Sequence, residues 1–593
     1  MIVMKFSLNS IRKMVPVCLF LAVTGCRNDA FLDEPVFQLT TQTAYKTPAQ
    51  IDLAINYLHN RMQYLNISSY QYHNYMMTGL GLDEFFSTNT EFTTSNWKLM
   101  TPSEPGYNAY WATGMSQIIT YANTIIEACN NPAVKFVSEQ QQKELMGEAL
   151  FFRAWGHRCL VGMFGDWPVI TRVEKTPKLD YTRAPRVEVW KQCREDLVIA
   201  AATLPKTTTR PGRIVRAAAD HLLAEICISL GDHTKDKRYY AEAINAATNV
   251  IGGADGDYQL MKNRFGKRAG EAGKDVYWDL FRAGNFNYQD GNKESIWTVQ
   301  YDYNNAIGGT GGMPGSATTN KLLLEFAFQS TSYFVDRQLK DANGKSYYFF
   351  GDGAVKFPNG KSSQAGSDER GVGTAQNRPT NYFLYTVWEG AGNDIRNSEA
   401  NIERNIKQAG GRPWREVFDE IKSKGDWNKI IPNDTIRSIY PRIWKFSTDK
   451  HINGNPEFYD ADIYVMRLPE TYLLRAEAYM KNDQLSQAKD DINEVRTRAN
   501  APLITTASVN MDYILDERAR ELFGEEYRLV TLSRLSSKEN PVLVQRVLKY
   551  GWDFPDLPKE TRPNIQPHQW VYPIPQAIIN SNTDAVFRQN EGY

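Results

Sequence analysis

Gly344-Lys345-Ser346 and Gly360-Lys361-Ser362 are the residues of this chain that come nearest to a phosphate-binding loop. Such a loop needs a further glycine five residues before its second one, so that backbone N–H groups can turn in around phosphate oxygens. Leu339 and Val355 stand at those positions. Neither the zinc-protease pattern HExxH nor the nucleophile elbow GxSxG occurs. The seven histidines are scattered, which does not supply the grouped imidazoles of a His-rich metal site. Pairs of carboxylates are too numerous to single one out, because the ~5–9 Å separation that matters for glycosidic chemistry is a property of the fold. The residues therefore point to no catalytic group, no metal site and no cofactor.

What remains is non-covalent chemistry. Aromatics make up 12% of the chain, including 32 Tyr and 13 Trp, enough both for a large core and for rings that stack on planar or sugar-like ligands. A ring that does so lies in a polar run, with amides and hydroxyls beside it. The run Ser87–Lys98 fits, because it sets Trp97 beside Asn96 and close to Asn89 among threonines and a serine. In Tyr301-Asp302-Tyr303-Asn304-Asn305, alternation puts Tyr301 and Tyr303 on one face, with Asn304 between them and the glycines that follow. Trp278 and Tyr288 flank another polar loop, and Trp388 sits between Tyr385 and Gly390. These nine residues are the candidate ligand contacts, on the expectation that they are exposed. For Trp97 the alternative is a loop anchor packed on the body. Trp111, Trp155 and Trp167 lie in helical patterns and are assigned to the core.

The elements that position these loops are helical. From Arg467, a stripe of Leu468, Tyr472, Ala476 and Tyr479 leads to a turn at Lys481-Asn482-Asp483. A second stripe of Leu485, Ala488, Ile492, Val495 and Ala499 then stops before Pro502. The same hairpin design recurs over Ala217–Ile251 and over Gln117–Asn130 with Glu139–Phe164. Ser138 with Gln141 makes a capping box there, and Gly165 followed by Pro168 makes a stop. Such pairs are like tetratricopeptide hairpins without the strict consensus. The spacing predicts a mainly α fold, with a scaffold over about 45–251 and 466–540. An irregular insert over about 252–465 carries short strands such as Ser295–Tyr301 and loops such as Gly351–Asn377, and a terminal segment covers 541–593.

The first residues carry a different message. Lys5, Arg12 and Lys13 precede an apolar stretch, Met14 to Val23, too short to span a bilayer. Val23-Thr24-Gly25-Cys26 is the pattern of a bacterial lipobox, so residues 1–25 are expected to be removed and Cys26 to carry lipid. Lys+Arg and Asp+Glu both total 68; without the three basic residues of the leader, 65 against 68 leaves about −3, which argues against a general nucleic-acid binder. Cys129, Cys159, Cys193 and Cys227 lie in or beside helical patterns with no CxxC spacing and are read as buried thiols.

Several motifs, in order, carry a resemblance. They are Phe31-Leu32-Asp33-Glu34-Pro35, Gly147–Ala154, Phe164–Val169, Arg475-Ala476-Glu477-Ala478 and Ile492–Ala499. Glu517-Arg518 follows, with Glu521, Glu525, Arg528 and Arg534, and then Tyr572-Pro573-Ile574-Pro575 and Gln589–Tyr593. Together they resemble the SusD/RagB family, glycan-binding surface lipoproteins of Bacteroidetes-type bacteria. The resemblance implies a non-catalytic lid that binds oligosaccharide or polysaccharide and passes it to a SusC-like TonB-dependent transporter in the outer membrane. The membrane would be met through the lipid anchor alone. A peptide-binding lid of the RagB type and a helical adaptor without a small ligand are the alternatives. Asp29, Asp33 and Glu34 resemble a surface-export signal, from which Arg27 departs. The motifs also have a structural reading, in which Glu521 with Arg518, or Glu525 with Arg528, pair within one helix.

Overall fold

The structure is a computed structural model, and it describes residues 45–67, 81–87, 97–103, 107–301, 377–405, 440–446, 462–551 and 564–593, with short isolated pieces between them. Cys26 and the leader lie outside the described residues.

Helix α1 (Pro48–Ile67) packs on α2 (Tyr107–Cys129), and α2 on α3 (Glu139–Phe164). Then α4 (Arg186–Thr203), α5 (Arg216–Thr234) and α6 (Lys237–Ile251) follow, each against its predecessor. The ends of α3 are those the sequence predicts. Ser138 Oγ accepts from the Gln141 N–H, Gln141 Oε1 accepts from the Val137 N–H, and Gly165, at φ 71°, closes the last turn onto the Val161 carbonyl. Asp236 caps α6 in the same way, through the Arg238 N–H.

The chain then leaves the stack. A one-turn helix α7 (Val276–Leu280) and strand β1 (Ser295–Val299) come first, and the main chain returns through strand β2 (Ile463–Arg467). β1 and β2 pair antiparallel, Ile463 opposite Val299 and Arg467 opposite Ser295, so the two ends of the insert are fastened to each other. Every residue of β1 is buried, as expected of a strand covered on both faces. Its Trp297 is ringed by Phe151, Phe152 and Trp155 of α3 at centroid distances of 5.4, 5.9 and 5.0 Å.

Once closed off by this ladder, the scaffold resumes where it stopped. α8 (Leu468–Lys481) packs on α6, and α9 (Leu485–Arg498) completes the hairpin. Arg475 reaches Thr248 Oγ1 at 3.0 Å, while Lys237 pairs with Asp483 and Lys481 with Asp232. Hairpins scattered in sequence are thus stacked in space. α10 (Met511–Leu522), α11 (Arg528–Arg534) and α12 (Val542–Tyr550) close the bundle, and the fold is mainly α, as the periodicity predicts. Within the insert, Val355–Lys356 pairs with Ser362–Ser363 and Gly366–Ser367 with Gly371–Val372, two minimal ladders in a stretch read as loop.

The charged motif residues do not pair within their helix as the i,i+3 spacing suggests. Glu521 instead receives Arg396, Arg467 and Arg498 from three other segments. Arg518 bonds Glu470 and Glu526, and Arg528 bonds Asp83 and Glu526. All of these groups are buried. Burial favours several partners here, because a buried guanidinium is costly unless carboxylates offset its charge, and those carboxylates come from distant segments. The four cysteines are buried free thiols, and burial pushes Cys129 and Cys159 up to about 12.

Candidate functional site

Exposure was the reason for choosing the aromatic candidates, and the structure places most of the described ones inside. Trp97 opens a single 3₁₀ turn, Trp97–Leu99, and is 2% exposed. Its ring meets Tyr572 at 5.7 Å, and Gln569 Nε2 donates to its carbonyl at 2.9 Å. The C-terminal segment covers it, so Trp97 is the loop anchor and not a platform. Trp278 is equally buried in α7, with Arg282, Arg268 and Lys274 arranged around its ring at 4.5, 4.7 and 5.0 Å. Tyr301 is buried too; its hydroxyl donates to the Gln63 carbonyl and its N–H to Asp462. Trp388 is 6% exposed, and its indole N–H donates to the Phe383 carbonyl at 2.6 Å. In each case the ring packs into the body of the protein.

Tyr288 alone of this group is half-exposed, but Lys293 lies 3.9 Å over its ring and Tyr258 5.2 Å away. The structure does bring Tyr288 near Tyr301. Asn287, next to Tyr288, donates to the same Asp462 carboxylate that accepts from the Tyr301 N–H. Trp97 and Trp388 belong to two different hydrophobic clusters. Asn89, Asn96, Tyr303 and Asn304 lie outside the described residues.

A ring that does face solvent stands beside Trp388. Tyr385 is 50% exposed, while Trp388, three residues on, is packed away. Asn381–Leu384 forms a single helical turn started by Thr380, whose hydroxyl accepts from the Phe383 N–H. Tyr385 ends it at φ −136°, ψ −59°, and a 3₁₀ turn over Thr386–Trp388 follows. That break in helical phase turns Trp388 inward and Tyr385 outward. Arg404 donates to the Leu384 carbonyl at 2.8 Å, and both Arg404 and Arg378 lie within electrostatic reach of Tyr385. Burial lowers both guanidinium pKa values, that of Arg378 to about 10.

A short ladder ties this ring to the polar run. Phe85–Ser87 pairs antiparallel with Asn377–Pro379, Phe85 opposite Pro379 and Ser87 opposite Asn377. The Thr380 N–H donates to the Glu84 carbonyl, and its hydroxyl to the Asp83 carbonyl. The segment that carries Asn89 and Asn96 leaves from this ladder, and the segment that ends in Tyr385 follows it. An exposed ring near guanidinium groups can stack on the apolar face of a ligand while flanking polar groups hydrogen-bond its rim.

Glu84 is raised to about 8 by burial and by its neighbours Asp83 and Glu526, and it lies inside the ion-pair core beside Arg528. Among the described residues, no group of three or more His, Cys, Asp and Glu side chains is placed to hold a metal, and no helix is long and apolar enough to cross a membrane.

Residues 241–593 match the family model described as the SusD family. The chain belongs to the SusD family. Residues 31–228 match a second model of SusD-like type, described as starch-binding and associating with the outer membrane. Over 134 residues the chain is 36% identical to the starch-binding protein SusD of Bacteroides thetaiotaomicron, covering 23% of this chain and 22% of that one. It is 25% identical over 230 residues to the SusD-like protein P2 of Formosa agariphila, 38% of this chain and 44% of that one. It therefore spans less than half the length of the curated relatives it matches. Solved structures extend the likeness of fold to nearly the whole chain. A laminarin binding SusD-like protein superposes with a TM-score of 0.62 at 20% identity, over 93% of this chain and 100% of that one. The surface glycan-binding protein A of Bacteroides thetaiotaomicron, in complex with laminarihexaose, gives 0.61 at 16%, over 92% and 99%. This SusD-family chain keeps the common fold at low identity.

Proposed function

We propose that this protein is a lipid-anchored glycan-binding protein of the outer cell surface, which captures oligosaccharide or polysaccharide and passes it to a SusC-like TonB-dependent transporter without altering it chemically. The observation that carries the reading is the SusD-family match over residues 241–593, together with the fold shared with glycan-binding relatives. Tyr385 supplies a stacking ring at the base of the polar run that holds Asn89 and Asn96. Lipid on Cys26 keeps the lid at high effective concentration beside its transporter while leaving it free to move.

Electrophoresis of the purified chain through gels that contain starch, laminarin and other neutral polysaccharides tests the reading. At least one polysaccharide should retard the protein, and Tyr385→Ala should weaken that retention about three- to tenfold, the worth of one stacked ring. Mobility unchanged by every polysaccharide would overturn the proposal, and capture of peptides instead would favour the RagB-like alternative.

A further inference from the structure

The terminal motifs, which the proposed function leaves unused, enclose a cleft of their own. It has a volume of about 530 Å³ and lies between the Gly165-Asp166 turn, the stretch Pro567–Val571 and Asn590–Gly592, while a separate cavity around Lys481 and Arg534 has about 890 Å³. Both fall in the range of small-ligand sites. The larger cavity is walled by charged groups already engaged in ion pairs, Lys481 with Asp232 and Arg534 with Glu477. The smaller one has an aromatic wall.

Its walls are fixed to one another. Asn590 Nδ2 donates to the carbonyls of Phe164 and Tyr572 at 3.0 and 2.8 Å. Arg183 donates to the carbonyls of Asp166, Arg588 and Phe164 and to Asn590 Oδ1. Gly592, at φ +97°, lies so close to His568 that a Cβ there would come within 2.4 Å of the ring. These contacts hold a cleft open between three segments where side chains could have filled it.

Trp570 lines the cleft and stays partly exposed, while the Arg186 guanidinium lies 4.9 Å from its ring and 5.2 Å from that of Trp190. The ring is thus held in place from behind. Asp166 and Glu591 are both exposed at the rim. Asp166 accepts one bond from the Arg186 N–H at 2.9 Å, and Glu591 pairs with Lys538 at 2.7 Å. Two carboxylates balance Arg183 and Lys538, so the site favours neither an anion nor a cation. Because Arg183 directs its donors to the chain's own carbonyls, the rim is richer in acceptors than in donors. A neutral ligand with an apolar face and many hydroxyl donors meets both conditions, and a pyranose ring is such a ligand.

We propose that this cleft is a second saccharide-binding site, with a pyranose of the bound glycan stacked on Trp570 and its hydroxyls donating to Asp166 and Glu591. The proposal rests on the glycan-binding reading and uses no residue of the Tyr385 surface. Two sites on one lid would grip a polymer at two points, which raises retention of long chains more than of short ones.

The same gels, run with the full chain, test it. Trp570→Ala should weaken retention about three- to tenfold, Trp570→Phe should restore most of it, and Glu591→Gln should show a smaller loss in the same direction. Glu591 touches only Lys538 at the surface, so its variant keeps the test valid if Trp570→Ala fails to fold. Wild-type retention with unchanged mobility of Glu591→Gln and of every folded Trp570 variant would overturn the second site alone. Failure of the wild-type protein to be retarded by any polysaccharide would overturn both this site and the function it rests on.

Discussion

The stacked hairpins and the centre around Glu521 are both buried, yet they are held together by opposite means. Where α2 crosses α3, apolar side chains meet closely. Gly156 lets the helices approach so far that a Cβ would stand 2.7 Å from Ile119 Cγ1. Leu222, Ile226 and Leu230 of α5 are fully buried among residues of the same kind. Around Glu521, Arg396, Arg467 and Arg498 converge without solvent, and Glu294, Glu517 and Glu525 pair with the same arginines. The surrounding guanidiniums hold Glu517 down to about 2 and Glu521 lower still. Apolar packing loses stability in proportion to what is removed. A buried charge network does not, because deleting one ion strands its partners in a medium that cannot solvate them.

Breaking that network should therefore give the largest effect. Glu521→Gln keeps the shape of the side chain and removes the charge that three arginines share. Loss of one partner of a buried pair costs about 3–5 kcal/mol, and the upper part of that range is expected here. Urea unfolding followed by circular dichroism measures it; a midpoint close to wild type would mean that the network contributes no net stability. On the apolar side, Leu222→Ala should cost about 3 kcal/mol, while Leu222→Met, which keeps the volume, should cost under about 1.5 kcal/mol. The contrast between the regions is sharpest in the conservative pair. The methionine should be tolerated where the glutamine is not.

The same division governs what the sequence made legible. The hairpins were readable because apolar residues at helical spacing, a Ser138 cap and a Gly165 stop are local signals, and they recur in the structure residue by residue. The partners of the charged motifs were not readable, since Glu521 is joined to Arg396, 125 residues away, and Arg467, 54 away, by folding alone. The candidate site was legible in part. The polar residues around Trp97, Trp278 and Trp388 could not say which way the rings point, and all three rings are buried. Tyr385 was visible as a neighbour of Trp388, and only the change from α-helical to 3₁₀ geometry at that position decides which of the two faces water.

The hairpin region also buries ion pairs, Arg153 with Asp196 and Arg158 with Glu225, together with one carboxyl pair that gives the smallest of these effects. Asp220 on α5 is 4% exposed and has Asp255 beside it rather than an arginine partner. Burial, and then the Asp255 charge, raise the Asp220 carboxyl to about 8 from 3.8, while Asn249 and Arg216 only partly oppose the shift. Asp255 is raised in the same direction. Here a proton does the work that arginine does at the centre. In the unfolded chain the proton leaves near pH 4, but in the folded chain it stays until about pH 8, so between those values the folded state binds more protons. Stability contributed by the pair is complete below about pH 4 and falls as pH rises toward 8, with a slope of at most about 1.4 kcal/mol per unit. The centre behaves in the reverse sense: the depressed Glu517 carboxyl, at about 2, stabilises above pH 4.5 and loses that contribution as pH falls toward 2. Asp220→Asn supplies a permanent neutral group, so it should flatten the decline between pH 6 and 7 and leave the acid limb unchanged. Equal pH slopes for the variant and the wild type would show that the two carboxyls do not share a proton.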